Sequence, residues 1–170
     1  IQDLVGADLS QLDLRNASLC RVNLESTNLT GTDLTLADLS RANLSGANLA
    51  RAKLSNANLR DANLSNSNLS DADLRAILPR VNLSGANLSR TNLSSAYLQN
   101  ANLQNADLNG TLLQQADLSG VNLSHANLNA VNLTRAELNA VKVEKARFIN
   151  VVGVSAQVQL EFQQQGAIFD

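Results

Sequence analysis

Residues 40–59 read SRANLSGANLARAKLSNANL, with leucine at 44, 49, 54 and 59. A helix repeats its apolar face about every 3.6 residues and a strand every 2. A period of five belongs to neither. Followed outward, leucine holds every fifth position from Leu4 to Leu74, fifteen times, then resumes at Leu78 and runs to Leu138, thirteen times more. Val143 and Phe148 continue the series, giving thirty pentads. Self-similarity on this scale is the mark of a repeat architecture.

The other four positions are just as regular. Two residues before each centre, Ala appears eighteen times, Val five and Thr four, with Ser67 once; only Gln2 and Leu12 are larger. One residue before the centre, Asn or Asp fills twenty-two of the thirty places. Two mostly polar residues follow the leucine. The run Ala-Asn-Leu alternates in, out, in, as a three-residue piece of strand does. The polar pair must then turn a corner. A β-turn over Leu, the two polar residues and the next Ala would do so. Type II requires positive φ at its third residue, where Gly and Asn are favoured. Gly stands there six times and Asn six times, but Arg also stands there six times, so the reading assigns a share of the corners to other turn types.

One roughly right-angled corner per pentad closes a square coil after four pentads. Coils of twenty residues stack at strand spacing, about 4.8 Å, into a rod about 36 Å tall. Leucines and small residues fill the axis. The motif A(D/N)LSx resembles the pentapeptide-repeat family over roughly residues 2–150. The resemblance implies an all-β solenoid, a right-handed quadrilateral parallel β-helix, here of about 7.5 coils, of the Leu-centred kind abundant in cyanobacteria.

Two departures from the period stand out. Between Leu74 and Leu83 the spacing is nine residues instead of ten, in LRAILPRVNL. A register slip at 75–76 would shorten one coil, Ala62–Arg80, to nineteen residues and tighten one corner. Pro79 suits the second position of the next turn. After Val152 the pattern gives way to VSAQVQLEFQQQGAIFD. Ser155 reads as an N-cap and Gly166 as a C-terminal stop, predicting a short helix over about 156–165 that would lie with Ile168 and Phe169 over the last coil. The chain thus divides into a β-helix, 1–152, and a C-terminal cap, 153–170. The opposite end has no comparable lid.

Composition narrows the function. Of 170 residues, 44% are apolar and 2% aromatic, and the formal net charge is −2. That balance offers no basic excess for a phosphate backbone, so direct nucleic-acid binding is not expected. Cys20 is the only cysteine, which excludes an internal disulfide and a Cys metal cluster. No apolar run is long enough to span a membrane. The chain starts at Ile1 and holds no Met, as a trimmed product would. The compartment reads as cytoplasm, with periplasm or thylakoid lumen as alternatives if a targeting segment has been removed.

Placed on faces, the outward residues form columns. Asn dominates the first two, where a stacked amide donates to one coil and accepts from another. The third carries Asp13, Asp33 and Asp73, interrupted by Lys53 and neighboured by Arg15 and Arg75, a charge-balanced wall. The fourth carries Ile77 and Tyr97 as exposed neighbours on adjacent coils, beside Pro79. This pair is the candidate interaction patch. His125, the single histidine, falls at an outward corner with no carboxylate to orient it. No catalytic constellation, metal site or cofactor site emerges. The reading is a non-catalytic structural or protein-interaction scaffold of unknown partner, regulatory in character, a monomer or a homodimer through its N-terminal end. The resemblance adds an alternative: mimicry of duplex DNA and binding to a type II topoisomerase, as gyrase protection or inhibition. That needs an extended acidic face, which the interrupted Asp column does not supply.

Overall fold

The computed structural model describes residues 3–170. Gln2, the first inward residue of the repeat, lies outside them. Regular elements are confined to the C-terminal end: β1 (Arg147–Phe148), α1 (Ala156–Gln164) and β2 (Ile168–Phe169). Everything before β1 is a ladder of single parallel bridges, one per pentad. Asp3 pairs with Asn23, Asp8 with Asn28, Asp13 with Asp33 and Ser18 with Asp38, and the pattern continues to Asn132 with Val152. Twenty residues therefore make one turn of the column, and four pentads make its four sides.

The interior follows from residue size. Every central leucine from Leu24 to Leu133 is fully buried, and Ala, Val, Thr and Ser fill the space between them. The inward hydroxyls do not go unpaired: Thr27 Oγ1 donates to the Leu4 carbonyl at 2.9 Å, Thr32 to Leu9 at 2.7 Å and Thr111 to Leu88 at 2.8 Å. The first coil is open, and Ala136 and Leu138 near the cap are half-buried. Leu4, Leu9 and Leu14 are half-buried and Leu12 is exposed.

The corners correct the mixed-turn expectation. At every corner from Gly6 to Asn150 with its full complement, the third turn residue has φ between +54° and +71°, Arg included; the residue before it does not. One sign pattern, that of type II, serves them all. Non-glycine residues in this region cost about 1 kcal/mol each. The sequence respects that cost, for Val, Ile and Thr never occupy the position. They are the residues least able to adopt it.

Backbone accounting explains the Asn/Asp preference. In the pentad Asn43–Ala47, the Asn43 N–H donates to the Val22 carbonyl of one neighbouring coil at 3.0 Å. Leu44 and Gly46 donate to the other, at Asn63 (2.7 Å) and Ser65 (2.9 Å), and Ala47 closes the turn on Leu44 at 3.0 Å. Four N–H groups are thus used by the backbone. The fifth, that of Ser45, donates to the Asn43 Oδ1 at 3.2 Å. The same bond forms at Asp8–Ser10, Asp38–Ser40, Asn63–Ser65, Asn102–Gln104 and Asn132–Thr134. A side-chain oxygen two residues before a corner is what a buried column needs to pair all its backbone donors. The spare amide hydrogens then run between coils: Asn43 to Asn23, Asn63 to Asn43 and Asn82 to Asn63, at 3.0–3.1 Å.

At the slip the bridges Asn58–Ile77, Asn63–Asn82, Asn68–Asn87 and Asp73–Asn92 span nineteen residues instead of twenty. The corner Leu74–Arg75–Ala76 has lost its third residue. Stacking resumes at once, with Ile77 donating to Ala57 at 3.0 Å and Leu78 to Tyr97 at 2.7 Å.

The chain leaves the column at Gly153, where φ is +88° and a Cβ would overlap the Thr134 amide. Ser155 Oγ accepts from the Val158 N–H at 3.3 Å and starts α1. After Gly166 the chain returns to pair β2 in parallel on β1. Phe148, the last residue on the axis, is covered by Phe162 of α1 (ring centroids 5.5 Å) and stacked by Phe169 of β2 (4.8 Å).

Two outcomes follow from the corners. Ala130 (φ +55°) is exposed and touches little but solvent. Ala130→Val should destabilise the column by about 1–2 kcal/mol, and Ala130→Gly should not; equal denaturation midpoints would refute uniform left-handed corners. Where the capping residue is Asp, the bond also holds its carboxyl below the usual range: Ser10 does so for Asp8, Thr35 for Asp33 and Ser40 for Asp38, while Arg15 brings Asp13 down to about 2 from an ordinary 3.8. Folded values below unfolded ones contribute stability above about pH 4 and lose it as pH falls toward about 2. The melting temperature should be flat from neutrality to about pH 5 and drop through that window, less so in Asp13→Asn; a flat profile to pH 2 would contradict the pairing.

Candidate functional site

Four walls are available, and three of them largely satisfy themselves. The first is the amide ladder from Asn23 to Asn122. The second repeats it, with Asn68 donating to Asn48 at 3.1 Å and Asn127 to Asp107 at 2.9 Å. On the third, each aspartate has its own base. Arg15 binds Asp13 through two bonds of 2.8 and 2.6 Å, Arg75 binds Asp73 in the same way, and Lys53 Nζ lies 3.9 Å from Asp33. The Asp column therefore presents paired charge, and among the described residues no group of His, Cys, Asp and Glu is arranged to hold a metal ion. His125 lies at an exposed corner, and Cys20 is exposed with Ser40 Oγ at 3.3 Å. Among the described residues no helix is long and apolar enough to cross a membrane.

The fourth wall differs. The structure places Ile77 and Tyr97 on bridged positions of adjacent coils, 40% and 56% exposed. Both line a solvent-open depression of about 400 Å³ that reaches around the corner to Arg75, Ala76, Ser94 and Ser95. Its origin is the slip. Asn56 below and Ser95 above both carry a third turn residue, and the coil between them has none. The wall is notched where a residue is missing. Two backbone groups on the notch also lose their partners. An ordinary corner would donate an N–H to the Ser94 carbonyl, and Ala76 would donate to Leu74; among the described residues neither bond is formed. The sequence reading found the apolar pair and the slip separately and did not join them into one cavity.

It also missed how charge is distributed along the axis. Residues 41–90 hold seven basic and three acidic side chains, whereas residues 1–40 hold two and six, and residues 91–170 four and six. The basic belt is concentrated at the corner following the fourth wall. There Asp61 binds Arg80 through 2.6 and 2.8 Å bonds, faces Arg41 at 4.0 Å and feels Arg60 as well. The Arg80 hydrogen bond is the main cause of its lowered pKa, and the fields of all three arginines add to it. One carboxylate against three guanidiniums leaves net positive charge across the fourth wall from the notch. Counting charges coil by coil would have revealed this.

Comparison with known proteins places the repeat. The pentapeptide repeats model matches in eight copies, over residues 3–41, 42–78, 76–115 and 116–152. No curated protein matches the chain. Among solved structures, the chain is similar to HetL, a pentapeptide repeat protein involved in heterocyst differentiation regulation from the cyanobacterium Nostoc sp. strain PCC 7120, at 34% identity over 85% of this chain and 82% of that one (TM-score 0.34). A pentapeptide repeat protein from the cyanobacterium Cyanothece 51142 is 30% identical over 89% and 91% of the two chains (TM-score 0.35). QnrB1, a plasmid-mediated fluoroquinolone resistance protein, is 18% identical over 99% and 92% (TM-score 0.41). With its repeats matched from residue 3 to residue 152 and such identity to relatives across most of both chains, the chain belongs to the pentapeptide repeat family.

Proposed function

We infer that this protein is a non-catalytic scaffold that binds another protein through the fourth wall, in a regulatory role. The observation that carries the reading is the notch with Ile77 and Tyr97 on its rim, two exposed apolar side chains bridged on adjacent coils beside unpaired backbone groups, whereas the exposed Leu112 of the third wall stands between Asn92 and Asn132. The axis is filled by leucine, so a small-molecule pocket inside the column has no room. In finer detail we read a right-handed column of about 7.5 coils over residues 1–152 and a cap over 153–170. The half-buried first coil leaves the N-terminal end as the face for a homodimer, should one form. Compartment assignment stays with the cytoplasm, the periplasm or thylakoid lumen applying only to a chain trimmed of a targeting segment.

The second reading is DNA mimicry toward a type II topoisomerase. It requires unpaired carboxylates in a long row, and the ion pairs at Asp13, Asp33 and Asp73 argue against it. In a gyrase supercoiling assay the purified protein should neither protect nor inhibit; either effect at about micromolar concentration would reverse the order of the two readings. For the wall itself, the double substitution Ile77→Asp, Tyr97→Ser should leave the melting temperature within a few degrees of wild type, both residues being exposed. It should also remove the specific proteins retained from a lysate of the source organism. Retention of the same proteins by the double variant would dismiss the fourth wall as the binding face.

A further inference from the structure

The notch has a chemistry that narrows its partner, an inference that rests on the fourth wall being the binding face. On the corner-side edge of that wall lie Arg60 and Arg80, with one shared carboxylate, Asp61, between three arginines. On the opposite edge lies the notch, with the Ala76 N–H and the Ser94 carbonyl unpaired. Between them stand Ile77 and Tyr97. Above and below, the wall turns acidic: Asp38 precedes Asn58 in the column, and Asp117 and Glu137 follow Tyr97. A negatively charged ligand running up the wall would meet those carboxylates. One crossing it would not.

We propose that the notch binds an extended acidic segment of a partner protein that crosses the fourth wall, with an apolar side chain over Ile77 and Tyr97, a main-chain carbonyl on the Ala76 N–H and carboxylates against Arg60 and Arg80. The wall is about three strand residues wide, about 10 Å, so four or five extended residues reach from the notch to the arginines. The backbone contact is the one that strand addition makes at an open edge, here limited to the single gap the missing residue opens. The apolar anchor supplies affinity, and the arginines select charge and speed encounter. A nucleic acid fits less well. Its phosphates recur along the strand, and the basic belt is bounded on both sides by segments with six acidic side chains each.

The test uses the full chain and labelled synthetic probes read by fluorescence anisotropy: a short peptide with Glu and Asp flanking a central Phe, the same peptide with Gln and Asn instead, and a single-stranded DNA. The acidic peptide should bind at least about tenfold more tightly than the amide peptide and the DNA. Raising salt from about 0.05 to about 0.3 M should weaken it. Arg60→Glu with Arg80→Glu, which leaves the core untouched, should cost about tenfold or more, and Arg60→Lys with Arg80→Lys much less. Insertion of one Gly between Arg75 and Ala76 restores a twenty-residue coil. It should raise or maintain the melting temperature while reducing peptide binding about tenfold. No binding of the acidic peptide, equal binding of the amide peptide, tighter binding of DNA, or unchanged binding by the folded insertion variant would each overturn the proposal. If the insertion variant fails to fold, the charge-reversal pair decides: unchanged binding overturns it and loss supports it. Should capture of partners be lost in Ile77→Asp, Tyr97→Ser but kept by both the insertion and the charge-reversal variants, the fourth wall stands and the acidic segment falls; if all three keep it, both fall.

Discussion

Everything in this column depends on pairing the fifth N–H of each pentad. A chain that turns a corner every five residues can give four of its donors to backbone carbonyls, two to one neighbouring coil, one to the other and one across the turn. The donor just after the leucine points at nothing in the backbone. An Asn or Asp two residues earlier captures it, as Asn43 does for Ser45. Without that oxygen the coil would carry a regular series of unpaired donors, each costing as much as a lost hydrogen bond. The repeat A(D/N)L is thus a bonding requirement together with a volume requirement. Small residues and leucine fill the axis, and the amide closes the corner. Asn serves better than Asp along most of the column because its spare hydrogens reach the oxygen of the adjacent coil, where stacked carboxylates would repel.

The same constraint accounts for the composition of the slip. Ile77 occupies a capping position and has no oxygen to offer. The residue whose N–H it would have capped is Pro79, which has no N–H. The loss of an acceptor and the loss of a donor fall on the same corner and cancel. That is why Ile77 can stand on this wall without leaving a polar group stranded. The preceding corner, at Arg75–Ala76, leaves the Ala76 N–H and the Ser94 carbonyl without partners, and those groups face a solvent-open notch.

Much of the fold could be read directly, because the period, the inward small residues and the twenty-residue coil are statements about size repeated thirty times. The uniform corner was harder to read. Arg at the third turn position looked like evidence for a second turn type, since a single Arg has no clear preference for positive φ. The decisive signal was an absence, the lack of Val, Ile and Thr at that position, whereas Val and Thr occur nine times one place later. The return of β2 onto β1 was not legible either. A parallel pairing of two residues depends on where α1 delivers the chain, and no local motif encodes that. At the candidate site, Ile77 and Tyr97 were visible as interruptions of a polar column. The notch was not, because a deletion in one coil becomes a cavity only when the coils above and below keep their residue.

A repeat of this kind places information in its exceptions. Thirty near-identical pentads make one wall resemble another, so recognition needs positions where the pattern breaks. Here several of the breaks fall together. The missing residue, Pro79, Ile77, Tyr97 and the arginines around Asp61 all fall within four consecutive coils and border one wall. The core through this stretch is as well filled as elsewhere, with Leu59, Leu78 and Leu98 fully buried. Interior packing therefore neither requires these departures nor is repaired by them. A deletion tolerated only for lack of consequence would have no reason to coincide with an exposed aromatic, an apolar residue at a capping position and an excess of positive charge. Their convergence is the physical ground for reading the notch as a surface kept for another molecule.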